Sequence, residues 1–162
     1  AKRIGIFVNA SLKEIKQSVH EFKLDGVQLH GTEPADFLEK LKTSIPELIL
    51  FKAVSVDNYT PLDELAHFEG LADRLVFDTK GELPGGNGFH FDWNQLEQYQ
   101  SSVPFLLSGG IGPEDLTAIS TFIQTVNHPQ CRGVDLYSRF ELGTGIKDIQ
   151  KLANFVEAFY TL

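Results

Sequence analysis

An apolar run, Leu75-Val76-Phe77, ends on a carboxylate, Asp78, and then opens into a loop with glycines at 81, 85, 86 and 88. A carboxylate fixed at the end of a buried strand can hand over or take up a proton at one defined point. Taken alone, Asp78 also fits a surface loop with a helix-capping acid. Two further stretches carry chemistry of another kind. LLSGGIGPEDL (Leu106–Leu116) places Gly109 and Gly110 after an apolar run and just before a helix start. Glycines let backbone N–H groups approach an anion closely, and a helix start adds partial positive charge. GVDLYSRFELGTGIKD (Gly133–Asp148) sets Asp135 and Ser138 at the next strand end, followed by Gly143 and Gly145. Asp135 alone fits a helix cap or a loop ion pair equally well. As a pair one βα unit apart, the two stretches match the phosphate site that barrel folds build from the loops after their last two strands.

The elements that must hold these residues alternate along the chain. Strands are expected at Arg3–Asn9, Gly26–Gly31, Leu48–Val56, Arg74–Asp78, Pro104–Leu107 and Gly133–Tyr137. Between them the spacing predicts helices. The first opens on a Ser11/Glu14 capping box and carries Leu12, Ile15, Val19 and Phe22 on one face. Others follow at Pro34–Leu41, Leu62–Phe68, Trp93–Gln98 and Pro113–Ile123, the last with Pro at its first position. A closing helix over Lys147–Tyr160 shows Ile149, Leu152, Phe155, Val156 and Phe159 along one side.

Six βα units in a row imply parallel strands covered by helices, as an open doubly wound sheet or a (β/α) barrel. Asn9, His30, Asp78, Gly109 with Gly110, and Asp135 with Ser138 all fall at or just past expected C-terminal strand ends. A doubly wound sheet gathers polar residues at one switch point, whereas a barrel spreads them around one mouth. The spread favours an α/β fold of the (β/α)8 TIM-barrel type. A complete barrel has eight units and roughly 200 residues or more. The expectation is therefore a single partial barrel domain over 1–162, with about six units corresponding to strands 3 to 8 and the first two missing.

Composition excludes some functions. The chain has 162 residues, 42% of them hydrophobic, and a formal net charge of −8. No apolar run approaches the ~20 residues of a membrane span. The acidic balance argues against nucleic acid, which needs clustered cations. Cys131 is the only cysteine. It rules out an internal disulfide and a cysteine-built metal cage, and a reducing, cytoplasmic setting fits.

Five segments in order carry a specific resemblance: GIFVN, VQLHG, FDTKGELPGGNGFHFDW, LSGGIGPEDL and GVDLYSRFE…GTGIKD. Together they are similar to the phosphoribosylanthranilate isomerase family of tryptophan biosynthesis, over essentially the whole chain. The resemblance implies a (β/α)8 barrel that converts N-(5-phosphoribosyl)anthranilate to 1-(2-carboxyphenylamino)-1-deoxyribulose 5-phosphate. The reaction is an Amadori rearrangement, an intramolecular aldose–ketose redox step that uses no cofactor and no metal. Asp78 would be the general acid that opens the ribose ring, and the glycine loop would fold close over the bound sugar. A carboxyl that donates a proton near neutral pH must be partly withdrawn from water.

The resemblance further places Gly109, Gly110, Tyr137, Ser138 and Arg139 at the phosphate. Gln28, His30, Gly86 and Asp135 would line the rest of the substrate site. His30 reads as a hydrogen-bonding wall residue, or as a second acid–base group. The remaining histidines read as surface or loop positions, and Phe91 and Trp93 as packing beneath the loop.

The chain departs from the family pattern in two ways. Tyr137 and Arg139 stand where many members have smaller residues. A Lys-Ile-Cys-Gly-like strand carrying the family's base, and an Arg that pairs with the anthranilate carboxylate, have no counterpart in these residues. Cys131 cannot replace that base. It lies four residues before Asp135, roughly 13 Å below the mouth at about 3.3 Å per strand residue. These 162 residues alone are therefore expected to bind phosphosugar without turning it over. The expected partners are a phosphosugar substrate and, on the exposed outer strands, a second copy or the missing N-terminal segment. The alternatives are a non-catalytic phosphosugar-binding partial barrel or another phosphosugar barrel enzyme.

Overall fold

The computed structural model describes residues 1–79, 91–126 and 128–161. Six strands form one parallel sheet: β1 (Ile4–Phe7), β2 (Gly26–Leu29), β3 (Ile49–Val56), β4 (Arg74–Thr79), β5 (Phe105–Leu107) and β6 (Cys131–Val134). The strands lie in sequence order, each beside the one before it. A doubly wound sheet would reverse direction at a switch point. The unbroken order is that of a singly wound, barrel-type arc. Among the described residues β1 pairs only with β2, and β6 only with β5.

The connecting helices are α1 (Leu12–Phe22), α2 (Ala35–Ser44), α3 (Leu116–Thr125) and α4 (Ile149–Phe159), with short 3-10 turns at Leu62–Phe68, Trp93–Gln98, Pro113–Asp115 and Ser138–Phe140. The capping box read from sequence starts α1. Glu14 N donates to Ser11 Oγ (3.3 Å), and Ser11 N donates back to Glu14 Oε2 (2.8 Å). Two of the expected helices, at Leu62–Phe68 and Trp93–Gln98, are 3-10 rather than α.

Strand alternation separates the two faces of the sheet. Val27, Leu29, Leu50, Leu75, Phe77, Phe105 and Leu107 are buried in one cluster with Ile15, Leu38, Leu41, Ile119 and Phe122 of the helices. Each such side chain contributes about 1.5–3 kcal/mol by leaving water. Phe77, Tyr99 and Phe105 pack ring against ring at 4.9–5.4 Å between centroids. His128, expected on the surface or in a loop, also docks here. Its Nε2 lies 2.8 Å from the Tyr99 carbonyl, and its ring is 5.3 Å from that of Phe105. The other face follows the register Ile6–Gln28–Phe51–Arg74 and Ser55–Asp78, and ends in the polar residues of the mouth.

The last strand differs from its expected span, Gly133–Tyr137. It runs Cys131–Val134, with a shifted register against β5 and Gly133 at φ +140°. Asp135 N still donates to the Leu107 carbonyl (2.7 Å). The chain then turns, so Tyr137 and Ser138 enter a 3-10 turn rather than a strand. The glycines at 143 and 145 belong to an antiparallel hairpin, β7 (Glu141–Gly143) and β8 (Ile146–Lys147), with Gly145 at φ +77°. The residue pattern alone does not announce this hairpin.

Candidate active site

The C-terminal strand ends surround a cavity of about 390 Å³. Ile6 and Val8 of the β1 side, Gln28 of β2 and His30 just past it, and Asp78 of β4 line one side. Ser108 to Ile111 after β5, with Asp135, Tyr137 and Ser138 after β6, line the other.

Asp78 sits one residue before the end of β4, opposite Ser55 of β3. Its Oδ2 lies 3.3 Å from His30 Nε2. His30 in turn has Nδ1 2.8 Å from the Gln28 amide nitrogen. With the amide donating to Nδ1, the imidazole carries its proton on Nε2, aimed at Asp78. The hydrogen bond to Asp78 raises the His30 pKa above its ordinary value. Burial and the Lys52 ammonium oppose this, and the charges of Asp78 and Asp135 assist.

The loop after β2 is held by a polar network. Asn9, at φ +52°, accepts through Oδ1 from Thr32 N (2.8 Å) and Thr32 Oγ1 (3.2 Å). A Cβ on Gly31 would fall 2.3 Å from that same oxygen, so the position needs glycine. Glu33 and Lys52, both buried, pair at 3.1 Å beneath. Burial lowers the Lys52 pKa against the pull of Glu33. Burial raises that of Glu33, but the Asn9 N–H, its own backbone and Lys52 outweigh it, and the carboxyl lies below its usual range.

The β5–β6 side is built differently. Gly109 and Gly110 are consecutive residues at φ +91° and +71°. A Cβ on Gly109 would meet Thr79 N at 2.5 Å, so the backbone there can pass only as glycine. With no side chains, these two residues offer the cavity peptide groups. Ser108 Oγ donates to Asp135 Oδ2 (2.9 Å), which fixes that carboxylate at the cavity wall.

Of the residues expected from sequence, Gln28, His30, Asp78, Gly109, Gly110, Asp135, Tyr137 and Ser138 meet around this one cavity. Arg139 does not line it; its guanidinium pairs with Glu114, tying the segment after β6 to the one after β5. Lys147 supports Tyr137, donating to its carbonyl (2.9 Å) and lying 4.2 Å from its ring centre. Gly86 lies outside the described residues. Cys131 faces a separate apolar cavity of about 350 Å³ with Phe122, His128 and Phe159, where burial pushes its thiol pKa up.

Sequence reasoning missed Glu33, Lys52 and Ser108. The signal for Lys52 was a single charge inside LILFKAVSV, where a strand covered on both faces would carry apolar residues.

Comparison with known proteins agrees with this geometry. The family model for N-(5'phosphoribosyl)anthranilate (PRA) isomerase matches residues 1–158. The N-(5'-phosphoribosyl)anthranilate isomerase of Parabacteroides distasonis is 40% identical over 156 residues, which cover 96% of this chain and 68% of that protein. The crystal structure of phosphoribosyl anthranilate isomerase from Thermotoga maritima superposes with a TM-score of 0.81 at 29% identity, covering all of this chain and 74% of that one. A phosphoribosyl anthranilate isomerase in complex with reduced 1-(o-carboxyphenylamino)-1-deoxyribulose 5-phosphate gives 0.76 at 26% identity, covering all of this chain and 73% of that one.

Proposed function

This chain belongs to the N-(5'-phosphoribosyl)anthranilate isomerase family, and from that premise we propose that the cavity binds N-(5-phosphoribosyl)anthranilate with Asp78 as the general acid of its isomerisation. The observation that carries this reading is the Asp78–His30 pair lining one cavity with the Gly109–Gly110 backbone, which passes close by Thr79, the residue after Asp78. The acid and the anion grip would then engage neighbouring parts of one phosphosugar, its ring oxygen and its phosphate.

In this reading the phosphate lies against Gly109, Gly110 and the Tyr137–Ser138 turn. Asp135, held by Ser108, accepts from a sugar hydroxyl, because a carboxylate repels phosphate and suits a donor. Asp78 passes a proton to the ribose ring oxygen as the C1–O bond breaks, and the anthranilate nitrogen lone pair forms the C=N bond of a Schiff base. A protonated His30, its Nδ1–H donating to the Gln28 amide oxygen once that amide is turned over, returns the Nε2 proton to Asp78 and is left neutral. A base then removes the C2 proton to give an enolamine, which tautomerises to the ketone. Arg139, paired with Glu114, supports the phosphate loops rather than touching phosphate directly.

Among the described residues that line the cavity, the base is the open position. The β1 side of the cavity presents Ile6 and Val8, and Cys131 faces elsewhere. We therefore propose that these 162 residues alone grip the phosphosugar more readily than they turn it over. A further segment or a second copy, pairing along β1 and β6, would complete the site, since unpaired strand edges favour such pairing. The test is an isomerisation assay with freshly generated substrate, using the 162 residues alone and within a longer chain. Product from either one, abolished by Asp78→Asn, supports the assignment. Undiminished product with Asn at that position refutes it.

A further inference from the structure

Beneath His30 lies an ion pair that the chemistry above leaves unused. Glu33 and Lys52 are only 6% and 4% exposed. At such depth the lost hydration can exceed the mutual attraction unless further hydrogen bonds complete the pair. Here they do. Glu33 Oε1 accepts from Asn9 N (2.7 Å), and Oε2 accepts from Gly31 N (3.0 Å) and Lys52 Nζ (3.1 Å). Lys52 Nζ also donates to the carbonyls of Gly31 (2.6 Å) and Leu29 (3.3 Å).

These bonds end on the peptide groups flanking His30. The Leu29 carbonyl lies on one side, and the Gly31 N–H and carbonyl on the other. His30 N itself donates to the Phe7 carbonyl (2.8 Å). Lys52 stands opposite Leu29 in the β2–β3 ladder, on the face that Leu29 buries. His30, one residue on, points to the cavity. A buried pair on the helix side of the sheet thus fixes the backbone from which the imidazole reaches Asp78.

We propose that Glu33 and Lys52 are positioning residues that aim the His30 imidazole at Asp78. The geometry stands by itself; the effect on turnover rests on the isomerase reading. The charged groups facing His30 are Asp78 from β4, Lys52 from β3 and Asp135 after β6, while β1 contributes only Ile6 and Val8. Two roles for Lys52 therefore have opposite signs. Through space, its charge disfavours imidazolium. By position, it maintains the Asp78 hydrogen bond, the largest factor favouring imidazolium.

The experiment is NMR titration of His30 in the protein, in Lys52→Met, in the double variant Glu33→Gln/Lys52→Met, and in Asp78→Asn. The double variant removes one charge of each sign and leaves no buried charge unpaired. Its His30 midpoint is expected to fall, as it does in Asp78→Asn. Where the protein turns over, kcat falls roughly 10- to 100-fold, the scale of a misplaced catalytic group, with KM little changed. A rise in Lys52→Met, with a rise or no change in the double variant, would leave only a through-space role and overturn the proposal. So would an unchanged midpoint in every variant except Asp78→Asn. If the double variant loses its fold, Glu33→Asp reads the same midpoint, a fall supporting positioning and no change refuting it. A midpoint that falls in a protein with no turnover supports positioning and counts against the isomerase reading instead.

Discussion

The two sides of the cavity are made of different materials. On the β2–β4 side the working groups are side chains, and each is held by a named partner: Gln28 to His30, His30 to Asp78, Glu33 to Lys52. On the β5–β6 side the cavity wall at Gly109 and Gly110 is backbone, set by two positive φ angles and a close passage against Thr79. A proton donor must point in one direction, so it needs a side chain locked by neighbours. An anion is met well by several peptide N–H groups, so its site needs glycines and a turn. Under the proposed function, proton transfer and phosphate grip rest mainly on residues of different strands.

Asp78→Asn should break the first side alone. The amide keeps the shape but cannot supply the proton, so turnover should fall by ~10²–10⁴-fold while analogue affinity holds. Steady-state kinetics beside calorimetric titration of an inert phosphosugar check both halves of the statement. Gly109→Ala should strike the second side first. A non-glycine residue at φ +91°, with its Cβ driven into Thr79 N, costs on the order of 1–3 kcal/mol, read by denaturant melts and by weakened phosphosugar binding.

Ser11→Ala lies outside both sides. Losing the α1 cap should cost about 1 kcal/mol of stability and leave kcat and affinity unchanged. The smallest effect is on pH dependence. Because Asp78 raises the His30 pKa, the pair's contribution is fully present below the ordinary histidine value of about 6.5 and fades as pH rises through the raised value. Melting temperatures across that window should decline in the parent and flatten in Asp78→Asn.

The division is partly legible in the residue pattern. Asp78 stands out because an apolar strand has no use for a terminal carboxylate, and Gly109–Gly110 because they precede Pro113. The strand order follows from βα alternation. The pairing of His30 with Asp78 is not legible, because it depends on which strands are neighbours and how their registers align. Lys52 looks like an ordinary interruption of a strand; its partners lie 19 and more residues away. The last strand ends earlier than its residue types suggest because Gly133 and the β5–β6 register shift turn the chain, a matter of backbone geometry that side chains do not announce.

The most direct test of the separation is one titration series: reduced 1-(o-carboxyphenylamino)-1-deoxyribulose 5-phosphate into the parent protein, Asp78→Asn and Gly109→Ala. The expected result is an affinity for Asp78→Asn within about threefold of the parent, and a loss of about tenfold or more, ~1.4 kcal/mol, for Gly109→Ala. Equal losses in the two variants, or the larger loss in Asp78→Asn, would contradict the assignment of grip to one side of the cavity and proton transfer to the other.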